Sequence, residues 1–346
     1  MTVITIFLIV LLLEIVALII CFTVLVLERI FRFFSEKRKK QKEEHLSSFI
    51  LRSLQSKQGS LPKIPRKLQK LPLLSSVISS FDSRFQGGRW EEIKKEIISK
   101  VALPRARRWA KSFFWHKRFI AAKCFSFYSQ PQDKLRILRL LRDRSFLVES
   151  AAALAIVKQE KLDYIELLLK KMSEPSAYTR LYFKDILLQG SNAVFFHIEK
   201  ILNSSKSPEI RIACLDILSA RSMPLHSPII KKEATSKNAK MRLSCITLHA
   251  HNPQIESESI LQKAIADEEV EIRREAAYGL RTYNSKKTRE KLIKALEDED
   301  WFVRFNAAKS LQRMGDLGEK ALRAQIKAKS KVAEQIASYV LHLTSG

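Results

Sequence analysis

Six arginines share one register of the chain. Arg118, Arg180, Arg211, Arg242, Arg273 and Arg304 stand 31 residues apart, or twice that. A guanidinium is always charged and presents five donors in a rigid fork. Forks at even intervals suit two kinds of chemistry: holding a row of phosphates, or bonding the chain's own carboxylates and carbonyls. A second, irregular cluster holds Arg105, Arg107, Arg108, Lys111, Lys117 and Arg118, with Trp109, Phe113, Phe114 and Trp115 interleaved. Cations among aromatic rings suit nucleic acid, anionic lipid or an acidic protein face. The same rings also suit a folded cap with solvated cations at its rim, and both readings stand for this partner-binding candidate.

Catalytic and metal chemistry find little support. His249 and His251 form the closest histidine pair, and at i, i+2 they fall on different helix faces. No cysteine lies near them at metal-ligand spacing. The four cysteines form no CxxC pair, which points to a reducing compartment, and Cys214 and Cys245 repeat at 31 residues, which reads as small core positions. No G-x-S-x-G, Walker A or G-x-G-x-x-G motif occurs, and the carboxylates offer no acid/base pair. No catalytic residue, cofactor site or metal site is expected, and the chain reads as a non-enzyme.

Charge and hydropathy say where these groups lie. The chain of 346 residues carries 62 Lys+Arg against 36 Asp+Glu, a formal charge of +26, which calls for an anionic neighbour. Residues 28–130 hold a net +17 of it. With 8 Gly and 10 Pro, collagen-like and Pro/Gly-rich disordered classes are excluded. Residues 3–27 are apolar apart from Thr5, Glu14 and Thr23, enough for a helix of about 37 Å that spans a bilayer. No basic residue precedes the run and no small-x-small site follows it, so it reads as an uncleaved anchor rather than a signal peptide. Arg29, Arg32, Lys37, Arg38, Lys39, Lys40 and Lys42 follow directly. The positive-inside rule then places the N-terminus outside and the rest in the cytoplasm, at the inner membrane if the source is bacterial. These seven cations serve as a topology signal, as a contact for anionic lipid headgroups, or both. Glu14, near mid-span, either bonds another membrane helix or is a tolerated protonated carboxyl.

The elements that position the remaining groups follow a repeat. Val303 to Leu311 (VRFNAAKSL) matches Ile272 to Leu280 (IRREAAYGL), and steps of 31 residues lead back through Met241, Ile210, Thr179, Val148 and Lys117. The fifth column holds Ala121, Ala152, Phe183, Cys214, Cys245, Ala276 and Ala307; the sixth holds Ala122, Ala153, Lys184, Leu215, Ile246, Ala277 and Ala308. Small residues let two helices approach closely while Leu and Ile fill the core. Amphipathic segments at 133–142, 161–172, 193–202, 255–266 and 288–297 lie between the motif helices. Asp143, Asp267 and Asp298, five residues before the motif, are expected as helix N-caps. Each unit is a helix pair that must stack on its neighbours. Upstream, a short helix is expected at 43–56, then a linker at 57–88 broken by Pro62, Pro65, Pro72 and Gly87-Gly88, part of it lying along the domain that follows. Residues 331–346 read as a terminal cap helix.

This pattern resembles HEAT-like repeats of the short, phycobilisome-lyase type found in bacterial proteins, over roughly residues 112–330. Phe183-Lys184 replaces the small pair and Glu149 the arginine, so those two units fit least. The resemblance implies an all-α, right-handed α-solenoid, preceded here by one transmembrane helix. It also implies that the arginine column bonds within the protein. The organisation expected is an anchor at 1–28, a basic juxtamembrane segment and linker at 29–88, and a solenoid at 89–346 with about seven repeats and a cap. The function expected is a single-pass membrane scaffold binding a cytoplasmic or membrane protein, with an envelope or polysaccharide-synthesis system as the client setting. The alternative is a nucleic-acid-binding protein or an enzyme, since proteins with such repeats include bilin lyases and alkylpurine DNA glycosylases.

Overall fold

The computed structural model describes residues 3–55, 63–174, 176–221, 228–327 and 330–342, and those residues form an all-α repeat solenoid of helix pairs. It divides into two compact units, residues 1–155 and 156–346.

The first unit begins with α1, Val3–Gln55, a single helix of 53 residues. A separate helix at 43–56 was expected, but the chain has no Gly before Gly59 and no Pro before Pro62. The charged stretch between is rich in Glu, Lys and Arg, all good helix formers, so nothing interrupts the hydrogen-bond ladder. From residue 11 to residue 27 α1 is exposed on every face, with Leu18 at 70%. A helix apolar all round and unburied by its own protein suits a membrane interior. α1 is long and apolar enough to cross a membrane by length and composition. Its last turns differ: Leu46 and Ile50 are fully buried.

They are covered from within the expected linker. Residues 56–62, with Leu61 and Pro62, lie outside the described residues. Beyond them Leu71–Asp82 forms α2, with Leu71, Leu74 and Ile78 buried, against α1. Pro72 starts a helix rather than breaking one: it lies in the first turn of α2, where its missing N–H has no helical acceptor to lose. Gly87, at φ +124°, turns the chain into α3, Gly88–Ile97. One π-helical turn, Ile98–Ala102, leads into α4, Leu103–Trp109, and there the Leu103 amide bonds the Ile98 carbonyl five residues back. Pro104 cannot donate to Lys100, which explains the widened turn. The unit continues with α5 (Trp115–Phe127), α6 (Lys134–Leu141) and the start of α7 (Phe146–Lys158).

The second unit alternates amphipathic and motif helices. The amphipathic set is α8 (Ile165–Met172), α10 (Asn192–Ser204), the short α12 (Pro228–Glu233), α14 (Ser257–Ala264) and α16 (Lys286–Ala295). The motif set is α9 (Ala177–Leu188), α11 (Pro208–Ser219), α13 (Ala239–His251), α15 (Val270–Gly279) and α17 (Trp301–Arg313). α18 (Asp316–Ile326) and α19 (Lys331–His342) close the unit. All seven residues of the fifth column are fully buried, Phe183 included, and in the sixth only Lys184 is not buried. Close packing is visible at Gly279, where a Cβ would lie 2.8 Å from Ala250 on α13.

The caps differ from expectation. Ser176, Ser207, Asn238 and Asp300 each accept the amide of the first motif residue three positions on. Asp143, Asp267 and Asp298 lie two residues too early to cap. Each accepts the amide two residues ahead, closing a small turn that leaves its carboxylate facing an arginine.

Candidate functional site

The arginine column is an internal ladder. Arg273 donates Nε and Nη2 to the two oxygens of Asp298 at 2.8 and 3.1 Å, and Nη2 also reaches Glu299 at 3.0 Å. Nη1 bonds the carbonyls of Asp267 and Glu268 at 3.0 and 3.1 Å. Arg242 repeats the pattern one unit earlier, with Asp267 at 3.0 Å twice, Glu268 at 2.9 Å, and the carbonyls of Ser236 and Lys237. Five bonds equal the donor capacity of a guanidinium, so neither side chain keeps an N–H for an outside phosphate. Within the first unit Arg118 makes four such bonds, to Asp143 at 2.6 and 2.8 Å and to the carbonyls of Ser112 and Phe113. Burial works against an ionised Asp143, but Arg118 and the Ser145 amide outweigh it and hold the carboxyl below its ordinary value. Arg211 meets Glu233 at 2.7 Å, because the position 25 residues ahead is Ser236. Among the described residues, Arg304 reaches only the carbonyls of Asp298 and Glu299, at 2.7 and 2.9 Å. Arg180 lies in the field of Asp216.

The irregular basic cluster splits in two. Arg105 donates to the carbonyl and side-chain oxygen of Gln69. Arg107 bonds both oxygens of the fully buried Asp133, at 2.7 and 3.0 Å, and Gln130 at 2.6 Å. With Arg118 held by Asp143, three of the six cations are structural. Arg108 and Lys111 are exposed, and Lys117 lies over the rings of Trp109 and Phe114, at 5.8 and 5.1 Å. Beside them Phe113 is 92% exposed, with Phe114 and Trp115 also open to solvent. The cluster therefore presents three cations and three rings.

On α1 the seven juxtamembrane cations are exposed. Arg32 pairs with Glu28 one turn before it. Arg38, Lys39 and Lys42 line a groove with Lys70 at the start of α2, whereas by helical spacing Arg29 and Lys40 lie on the opposite face. Glu14 is exposed within the apolar part of α1.

A family model of HEAT repeats matches residues 257–330. Those residues are HEAT repeats. A search of curated proteins finds none that matches the sequence. Among solved structures, the chain is similar to YibA of Escherichia coli at 18% identity, over 60% of this chain and 80% of that one, with a TM-score of 0.38. It is similar to an engineered protein at 15% identity, over 89% and 96%, with a TM-score of 0.36. It is also similar to yeast importin-beta at 11% identity, over 86% of this chain and 45% of that one, with a TM-score of 0.46. Likeness at this level says nothing about function.

The HEAT segment carries a surface that periodicity alone does not single out. Trp301 stacks on Phe305 with ring centroids 5.0 Å apart, and Tyr339 of α19 lies 6.3 Å from each. Phe302 adjoins Trp301 and sits under the Arg274 guanidinium at 5.0 Å. Trp301, Phe302 and Tyr339 are each 42% exposed or more. The available signal is Trp301-Phe302 at the head of a motif helix, where the two preceding units place Val270-Glu271 and Ala239-Lys240. Ser257 Oγ and His249 Nδ1 lie 2.8 Å apart, a distance suited to a nucleophile and its base. Ser257 is fully buried and also accepts the Gln254 amide, so the pair braces the start of α14. Cys124 and Cys245 are buried, and their thiols are pushed up to about 12, which leaves them protonated and unreactive at neutral pH. Among the described residues no group of three His, Cys, Asp or Glu is placed to hold a metal.

Proposed function

We propose that this chain is a non-enzymatic, membrane-anchored scaffold, whose HEAT repeats hold a protein partner at the cytoplasmic face of a membrane. The observation that carries the reading is the aromatic surface of Trp301, Phe302, Phe305 and Tyr339. It stands on repeats whose ladder arginines are already bonded within the protein. Exposed, mutually packed aromatic side chains are what a partner buries at the centre of an interface. α1 supplies the location, since its apolar length fits a bilayer and its cations follow on one side only. Repeats of this kind typically mediate protein–protein contacts. The test is purification of the full chain from membranes in mild detergent, beside a variant carrying Trp301→Ser and Phe302→Ser. The expected result is a protein recovered in stoichiometric amount with the parent and lost with the variant. Turnover of a nucleic acid or transfer of a chromophore by the purified chain would overturn the reading.

A second reading, nucleic-acid binding without catalysis, is favoured by one observation: exposed Phe113, Phe114 and Trp115 beside Arg108, Lys111 and Lys117. It requires affinity for single strands to fall about 10³-fold or more between 50 and 200 mM salt.

A further inference from the structure

The first unit contains a groove of about 850 Å³ between α1 and the start of α2. Its α1 wall is one continuous helical stripe, and the stripe changes character along its length. The half nearer the N-terminus is Leu27, Ile30, Phe31 and Phe34, all exposed, with Phe31 at 74%. The next two turns bring Arg38, Lys39 and Lys42. From α2 come Lys70, Pro72 and Leu73, so a fourth cation faces the first three across the opening. Among the described residues no carboxylate lines the groove. Three carboxylates adjoin the lining in sequence: Glu28, which pairs with Arg32, then Glu36, and Glu43, which accepts a hydrogen bond from Ser76 at 2.9 Å and so fixes α2 against α1. The first turn of α2 has no side-chain cap, and its positive end adds to the same field.

An apolar trough that ends in four cations fits a molecule with an acyl chain at one end and a negative charge at the other. A free phosphate would leave the trough empty, and a zwitterionic headgroup brings its own ammonium among the lysines. The change from apolar to cationic side chains also falls where a membrane-spanning α1 leaves the hydrocarbon. We propose that the groove binds one anionic glycerophospholipid, with its phosphate held by Arg38, Lys42 and Lys70 and an acyl chain laid along Leu27 to Phe34. This rests on reading α1 as a membrane anchor. Binding would lock the angle between the anchor and α2, and so orient the repeats at the membrane surface.

The test uses the full chain in neutral detergent, titrated with phosphatidylglycerol and followed by native mass spectrometry. Two variants remove equal charge: Arg38→Gln with Lys70→Gln in the groove, and Arg29→Gln with Lys40→Gln on the opposite face. The expected result is one phosphatidylglycerol per chain, bound about tenfold or more weakly by the groove variant and within about twofold by the other. All four side chains are exposed, so folding is retained, which circular dichroism checks. The single variant Lys70→Glu should reproduce the loss, although it leaves the basic stretch of α1 intact. Equal losses in both double variants would show only diffuse attraction to the basic segment. Equal binding of phosphatidylcholine, or of glycerol phosphate without acyl chains, would also overturn the proposal. If the chain leaves membranes without detergent, the anchor reading fails, while one-to-one, groove-dependent binding of phosphatidylglycerol remains measurable on its own.

Discussion

Arg273 and Asp298 lie 25 residues apart and meet through two parallel hydrogen bonds, and the carbonyl of Asp298 in turn accepts a bond from Arg304. Each link thus joins one turn to the next: the arginine grips the carboxylate ahead, and the backbone beside that carboxylate receives the following arginine. Both side chains are close to 10% exposed, so the pair is largely desolvated. Asp298→Ala leaves Arg273 buried without its main partner, and the expected loss is about 2–4 kcal/mol in urea unfolding. Arg304, which among the described residues bonds carbonyls alone, should cost less when replaced by Ala. Equal losses at the two sites would contradict the ladder.

Close packing of the repeats sets the second prediction. A Cβ on Gly318 would lie 1.8 Å from the Leu311 carbonyl oxygen, so Gly318→Ala requires α18 to move away from α17. Ala307 is fully buried, and Ala307→Leu should overpack its column at a cost of about 1–3 kcal/mol. Both should lower the melting temperature with the helical spectrum retained. An unchanged melting temperature would remove the basis of the packing argument.

His249 makes stability depend on pH. Burial, offset only in part by Glu256, pushes its pKa down to about 4. The unfolded chain takes up a proton near pH 6.5. Above that value the imidazole is neutral in both states. As pH falls from about 6.5 to 4, only the unfolded chain gains the proton, and stability drops by up to about 3 kcal/mol. Urea midpoints between pH 7 and 4.5 should fall less for His249→Gln than for the parent. A parallel fall in both would refute the assignment.

The basic cluster yields opposite outcomes for neighbouring residues. Arg107→Glu places a negative charge against the buried Asp133 and should destabilise the first unit strongly. Arg108→Glu with Lys111→Glu should leave the melting temperature within about 1 °C, because exposed charges contribute little. Any role of the cluster in binding must therefore be read from Arg108, Lys111 and Lys117.

Topology is checked in sealed inside-out vesicles. A protease should reach the repeats there, and protection of residues beyond α1 would reverse the orientation proposed.

Much was legible in the residues alone. The 31-residue register located every described motif helix and the fully buried column from Ala121 to Ala307, because close helix packing imposes the same small residues at each turn of the repeat. The apolar run of α1 was equally plain, since membrane-compatible composition is a local property. Other features depended on contacts between distant segments. Nothing local distinguishes Arg107, gripped by Asp133, from Arg108, which is free to solvent; the placement of the turn before α6 beside α4 decides it. The role of Asp298 shifted from cap to ladder partner because the turn it closes aims its carboxylate at Arg273, 25 residues earlier in the chain. Pro72 is accommodated locally in the first turn of α2, but only the packing of α2 on α1 carries Lys70 to the cations of α1. Tyr339 joins Trp301 and Phe305 only when α19 docks on α17. Periodicity determined which faces are buried, because burial repeats with the helix. Which charges and rings remain available to a partner was decided by the tertiary structure, because a side chain is free only when no segment folded against it supplies its bonds.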